Sequence, residues 1–157
     1  MLWEDQVPMT DVELTSTAFE EGQPIPERYS CDGDNASPPL SWASLPEGTR
    51  SVALILHDPD APSGDFTHWV GWNIDPEAGG LDEGAHAPRE GTNGFGETGY
   101  DGPCPPAGDR AHRYVHELFA LDTELELEPE ASREQLEDAI DGHVLGGAEL
   151  VGTYERK

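Results

Sequence analysis

Ser51-Val52-Ala53-Leu54-Ile55-Leu56-His57 is a continuous apolar run, and Asp58-Pro59 stops it. Side chains of a strand alternate between two faces, so a run with no polar face predicts a central strand covered on both sides. Two more segments belong beside it. Thr67 to Ile74 predicts a strand with His68, Val70 and Trp72 on one face and Trp69, Gly71 and Asn73 on the other. Arg113 to Leu121 predicts a third, with His112, Tyr114 and His116 opposite Arg113, Val115 and Glu117. Val12, Leu14 and Ser16 alternate with Glu13 and Thr15 as in an edge strand. Ser41-Trp42 reads as a brief extended piece, and Glu149 to Tyr154 as a final short strand.

The connections carry proline and glycine rather than helical periodicity. Phe19 to Pro39 is turn-rich, and residues 75–111 read mostly as loop. Only one helix is expected. Ser132 and Gln135 stand at capping-box spacing, and Leu136, Ala139, Ile140 and His143 or Val144 form an inner stripe. Gly142 and Gly146-Gly147 interrupt the chain beyond that stripe. Strands without strand–helix alternation favour a mainly β chain, a β-sandwich with a C-terminal helix forming a single domain over residues 1–157, over an α/β fold.

Charge bounds the partners. The 157 residues hold 33 acidic against 8 basic side chains, a formal net charge of -25, and lysine occurs only at Lys157. The acids are spread along the chain with four Trp, four Tyr and four Phe among them, which points to a folded domain and not a disordered acidic tail. Such a balance suits a salt-rich cytoplasm, where the Debye length falls to about 3 Å at 1 M, and it leads us to expect a haloarchaeal source. It argues against nucleic acid and anionic membranes as partners, since both call for basic patches. The N-terminal residues have neither a basic start nor an apolar stretch, and no run approaches the roughly 20 residues of a membrane span. A soluble, cytoplasmic protein is the expectation. Cys31 and Cys104 could pair or stay free, with reduced thiols the default in a cytoplasm. Neither stands at zinc-ligand spacing.

Two matched segments carry the candidate chemistry. Asp58-Pro59-Asp60-Ala61-Pro62 leads to His68-Trp69-Val70, and Gly102-Pro103-Cys104-Pro105-Pro106-Ala107-Gly108 leads to His112-Arg113-Tyr114. The prolines fix the direction of the chain. The aspartates could brace their loop by accepting backbone N–H bonds, or face a ligand. His68 and His112 could be satisfied structural residues or ligand groups, and Tyr114 could donate its phenol or only pack. The second loop could present an anion nest of backbone N–H groups or form a rigid crossover. Cys104 with His112 is a conceivable thiol–imidazole pair, and His57, His68, His112 and Asp58 a conceivable metal site. No nucleophile elbow is present, and Gly94-Phe95-Gly96 is not a phosphate loop of a known type.

Taken together the segments resemble the phosphatidylethanolamine-binding protein family, in particular its short prokaryotic, Raf-kinase-inhibitor-like branch. The likeness runs from Pro26-x-x-Tyr29-x-Cys31-Asp32-Gly33 and Ser37-Pro38-Pro39-Leu40-Ser41-Trp42, through both segments above, to Gly142-His143-Val144-Leu145 and Glu149-Leu150-Val151-Gly152-Thr153-Tyr154. The resemblance implies a sandwich of two antiparallel sheets with a small anion pocket at one end. It implies ligand contacts from Asp58, Asp60, His68, Pro105, His112 and Tyr114, and ligands such as phosphate, phosphorylethanolamine head groups or carboxylates. It implies no cofactor, no metal and no catalytic residue, and the prokaryotic branch carries the expectation of a homodimer. A hydrolase using His112 with Asp58, or a module inhibiting a kinase or protease, is the competing reading. In so acidic a chain an anion has to be held by short-range donors: backbone N–H groups, His68, His112 and Tyr114. With histidine pKa values near 6.5, affinity is expected to fall as pH rises from about 5.5 to about 8.

Overall fold

The computed structural model describes Pro8 and residues 10–156. Eight strands form two sheets, and every named strand pair is antiparallel. The smaller sheet has the order β1 (Glu13–Thr15), β2 (Leu40–Ala43), β5 (Gly80–Leu81). In the larger, β6 (Arg89–Glu90) and β4 (Phe66–Ile74) lie on one side of β3 (Ser51–Asp58), with β7 (His112–Leu121) and β8 (Val144–Tyr154) on the other. The short β5 and β6 fall inside the stretch read from sequence as loop. Among the described residues no helix is long and apolar enough to cross a membrane.

Strand β3 is buried at every position, as its unbroken apolar run requires. Val52, Leu54 and Leu56 point into the core beneath the small sheet, beside Leu14, Trp42, Trp69 and Leu118. Ala53 and Ile55 point the other way, into a second core with Val70, Trp72, Phe119 and Leu121. That second core is roofed by α1 (Arg133–Ile140) through Leu136 and Ile140. The helix starts with the expected capping box: Gln135 N–H donates to Ser132 Oγ at 3.1 Å, and Ser132 N–H donates to Gln135 Oε1 at 2.8 Å. The molecule is thus layered as small sheet, large sheet and helix, and β3 runs through its centre.

Three expectations need correction. The last strand is 11 residues long and takes in Gly146 and Gly147, which pair with Ala120 and Phe119. The glycine at 146 reflects a close approach, since a Cβ there would stand 2.5 Å from Thr10 Oγ1 and 3.1 Å from Pro46 Cγ. His143 leaves the helical stripe, because the helix ends at Ile140, and its Nδ1 lies 2.8 Å from Asp122 Oδ1. Cys31 and Cys104 form a disulfide, against the reduced thiols expected of a cytoplasm. Backbone pairing brings them together, for Cys31 N–H donates to the Pro103 carbonyl at 3.0 Å.

Candidate functional site

The ends of β3, β4 and β7 converge on a cavity of about 180 Å³. The loop after β3 contributes Ala61, Pro62 and Ser63, and the proline-rich loop before β7 contributes Cys104, Pro105 and Pro106. Between them stand Asp58, Phe66, His68, Phe95, His112 and Tyr114. Five of the six residues expected at the pocket therefore line it: Asp58, His68, Pro105, His112 and Tyr114.

Asp60 lies outside that lining. Its Oδ2 accepts from Arg113 N–H at 2.9 Å and Nε at 3.0 Å, and its Oδ1 from the guanidinium at 2.9 Å. The Arg113 guanidinium holds the Asp60 carboxyl down at about 2, against a smaller opposing effect of burial. Asp60 also donates its backbone N–H to Asp58 Oδ1 at 2.8 Å. It pins the turn that aims Asp58.

His68 enters the site through a β-bulge. Leu56 pairs with Trp69, but His57 pairs with Thr67, so His68 is the extra residue. The bulge moves its ring off the face of Val70 and Trp72, where alternation puts it, and onto Tyr114, with ring centroids 5.3 Å apart. Asp101 then fixes the ring from both ends: its N–H donates to the His68 carbonyl at 3.1 Å, and its carbonyl accepts from His68 Nδ1 at 2.7 Å. Burial lowers the His68 pKa, outweighing the carbonyl contacts and the nearby carboxylates. A carbonyl only accepts, so Nδ1 carries the proton and Nε2 of the neutral ring is an acceptor.

His112 has no nitrogen to spare. Nδ1 lies 2.7 Å from Asp58 Oδ2 and Nε2 lies 3.2 Å from Asp109 Oδ2. Burial opposes protonation, but the two carboxylates prevail and raise the pKa above the ordinary histidine value. Only the imidazolium can donate to both. The donor expected of His112 is thus already engaged within the protein.

Tyr114 is different. Its hydroxyl is buried and has no hydrogen-bond partner of good geometry among the described residues. Burial first, then the charge of the Asp58 carboxylate and a hydrogen-bonding contact with it, raises the phenol pKa, so the group stays a protonated donor. A second unused donor lies in the proline-rich loop. Pro103, Pro105 and Pro106 have no N–H; Gly102 N–H donates to Asn35 Oδ1 at 2.8 Å and Gly108 N–H to the Arg156 carbonyl at 3.1 Å. Cys104 N–H has no acceptor among the described residues. Ala107 N–H also has no acceptor among the described residues, but Ala107 does not line the cavity, so the loop is no broad anion nest and offers it the Cys104 amide on a segment held by the disulfide.

Sequence reasoning missed the aromatic rim. Among the described residues Phe95 is the large hydrophobic side chain left exposed, at 49 %, and it packs edge-on against Phe66 at 4.8 Å and His68 at 5.7 Å. An apolar residue bracketed by glycines in an otherwise polar loop was the available signal. The conceivable four-residue metal site does not assemble, because His57 faces the helix layer, near Glu117 and Asp65, and not the cavity.

Comparison with known proteins bears on the family and the fold. Residues 15–155 match the family model described as phosphatidylethanolamine-binding protein. A UPF0098 protein of Methanothermobacter thermautotrophicus is 51% identical over 150 residues, covering 91% of this chain and 98% of the relative. The crystal structure of a phosphatidylethanolamine-binding protein homologue from Chlamydia trachomatis superposes with a TM-score of 0.89 at 44% identity, covering 95% of this chain and all of that one (100%). E. coli YbcL, described as a new member of the mammalian PEBP family, gives a TM-score of 0.87 at 30% identity, over 94% of this chain and 99% of that chain. These organisms are varied and lend no support to the haloarchaeal source expected from the charge. The chain belongs to the phosphatidylethanolamine-binding protein family.

Proposed function

We propose that this protein is a non-catalytic binding protein whose cavity holds a small oxyanion, a phosphate or carboxylate group. The observation that carries this reading is the Tyr114 hydroxyl, buried on the cavity wall beside the Asp58 carboxylate and without a hydrogen bond of good geometry among the described residues. A buried donor left unmade costs about 1–3 kcal/mol, and an anion oxygen at that point recovers the bond. The Cys104 amide supplies a second short-range donor on the cavity wall, while Phe66 and Phe95 flank the mouth. Held this way, the anion needs no favourable long-range field. That suits a chain of net charge -25, and suits a salt-rich setting in which repulsion is screened within a few Å. The engagement of both His112 nitrogens by carboxylates supports binding over hydrolysis, since a general base needs a free lone pair.

Titration with inorganic phosphate tests the reading. Tyr114→Phe is expected to weaken phosphate binding by about tenfold or more while leaving the fold intact. Equal affinity in the two proteins removes the basis for the assignment.

A further inference from the structure

Resting on that reading, we propose that Asn35 and Asn93, which lie outside the cavity lining, position His68 so that its ring donates to a bound anion only after taking up a proton. The peptide group between Asp101 and Gly102 is the link. It is planar, so its carbonyl and its N–H point in opposite directions. The carbonyl accepts from His68 Nδ1 at 2.7 Å, and the N–H donates to Asn35 Oδ1 at 2.8 Å. Asn35 Nδ2 donates to Asp101 Oδ1 at 3.1 Å. From the other side Asn93 Nδ2 donates to Asp101 Oδ2 and to the Gly99 carbonyl, each at 2.9 Å. Asn93 Oδ1 accepts from Phe95 N–H at 2.9 Å and from Glu97 N–H at 3.2 Å. Those four bonds are all that one carboxamide can make. Its orientation follows from the partners, since backbone N–H groups only donate and carbonyls only accept.

Local geometry alone does not require these two residues. Asn35 has a φ of 58°, a left-handed conformation that glycine or aspartate also tolerates. Only a carboxamide both accepts from Gly102 and donates to Asp101. Asn93 is buried, so a bond it gave up would leave a buried group unpaired. A Cβ at Gly102 would run into the Tyr29 carbonyl, which explains glycine where the clamp closes.

The clamp bears on binding through the tautomer. It keeps the proton of the neutral ring on Nδ1 and leaves Nε2 as a lone pair, from which an anion oxygen gains no hydrogen bond. When the ring takes a second proton, Nε2 becomes a donor while Nδ1 keeps its carbonyl. Anion binding then draws a proton onto His68. Burial of the ring opposes that proton, while the carbonyls of Asp101 and Gly102 and the carboxylates of Asp58 and Asp101 favour it. On β7, Tyr114 meets the ring edge-on, and His116 is close enough for two imidazolium charges to repel.

Asn35→Gly tests the proposal in the full chain, because glycine keeps the left-handed turn while both bonds of the carboxamide are removed; Asn93→Ala is the second variant. The ring nitrogen shifts of His68 and the affinity for inorganic phosphate are followed from about pH 5 to about pH 8. The parent is expected to hold the Nδ1–H tautomer, and the variants to mix in the Nε2–H form. The ratio of parent to variant affinity is expected to fall at least about threefold as pH rises over that range, the scale of one hydrogen bond, because only in the variants can a neutral ring offer a donor. The ionisation of phosphate itself is common to the proteins and cancels. A ratio constant with pH, a variant ring still held as Nδ1–H, or an Nε2–H tautomer in the parent overturns this inference and leaves anion binding standing. Failure of phosphate to bind the parent at any of these pH values overturns the anion reading instead, and the ring shifts still report on the clamp. Where neither variant folds, the parent decides: saturating phosphate should move the His68 titration to higher pH, and a titration that does not move overturns the inference.

Discussion

His57 and His112 each stand between two carboxylates, on opposite faces of the large sheet, though His57 Nε2 lacks a hydrogen bond of good geometry. His57 Nδ1 lies 2.7 Å from Asp65 and its Nε2 lies 3.2 Å from Glu117. His112 Nδ1 lies 2.7 Å from Asp58 and its Nε2 lies 3.2 Å from Asp109. Asp58 and Asp65 are the two ends of one loop, so each end is tied to a histidine. In both clusters burial opposes protonation, and the carboxylates outweigh it and raise the imidazole pKa. The surroundings differ. His57 and Glu117 are sealed in the helix-side layer, and Arg133 bridges from α1 to Asp65 at 3.0 Å. His112 borders a cavity whose wall carries the Tyr114 phenol, without a hydrogen bond of good geometry, and the Cys104 amide, for which the described residues offer no acceptor. A histidine between carboxylates is therefore no sign of a site in itself. Both clusters hold buried polar atoms short of a hydrogen bond, and the open volume beside His112 is what distinguishes one as a site and the other as a brace.

The comparison breaks most sharply on the sealed side. His57→Ala leaves the buried Glu117 carboxylate without its counter-charge, and unfolding in denaturant is expected to show a loss of about 3–5 kcal/mol. Phosphate affinity of the folded fraction should not change; a loss below about 1 kcal/mol rejects the bracing role. Next in size is the disulfide, which closes a separation of 73 residues and ties the cavity loop to the segment around Asn35. Cys31→Ser with Cys104→Ser should lower stability by about 2–4 kcal/mol and weaken phosphate binding, because the Cys104 amide loses its tether. A double variant as stable as the parent would contradict this.

Tyr114→Phe should behave in the opposite sense to His57→Ala. Removing a buried hydroxyl that lacks a hydrogen bond of good geometry is expected to leave the melting temperature nearly unchanged, while binding falls. A marked drop in melting temperature would show that the hydroxyl has a partner within the fold. The pH dependence is smaller. The folded pKa of His112 is raised above the ordinary 6.5, so its contribution is complete below about 6.5 and is lost as pH rises through the raised value. The stability gap between the parent protein and His112→Asn should shrink over that window. His116 runs the other way: burial lowers its pKa to about 4, so it contributes a loss of stability as pH falls from about 6.5 towards that value. A gap that widens with rising pH rejects the imidazolium assigned to His112. Asp60→Asn should cost least. Its ion pair with Arg113 is partly exposed, and pairs of that kind are worth about 0–1 kcal/mol.

Much of the fold was legible because burial writes itself into periodicity. The unbroken run of β3 predicted a strand covered on both faces, and the Ser132–Gln135 spacing predicted the start of α1. The two matched proline-rich segments predicted the cavity walls. The failures depend on contacts distant in sequence. The bulge that carries His68 across the sheet follows from its register with β3, which strict alternation does not encode. The glycines of β8 read as breaks, yet they answer the close approach of Thr10 and Pro46. Asp60 and Asp58 share one turn and one residue type, and only the position of Arg113 separates brace from wall. His112 read as a donor because Asp109, on the other side of the ring, could not be foreseen.

The most direct measurement of the central claim is a phosphate titration followed by amide chemical shifts. The account predicts saturable shifts centred on Cys104, Tyr114, His68 and the Asp101–Gly102 backbone, with none at His57, Asp65 or Glu117. Shifts centred on the His57 cluster, or no saturable shifts at the cavity at millimolar phosphate, would contradict it.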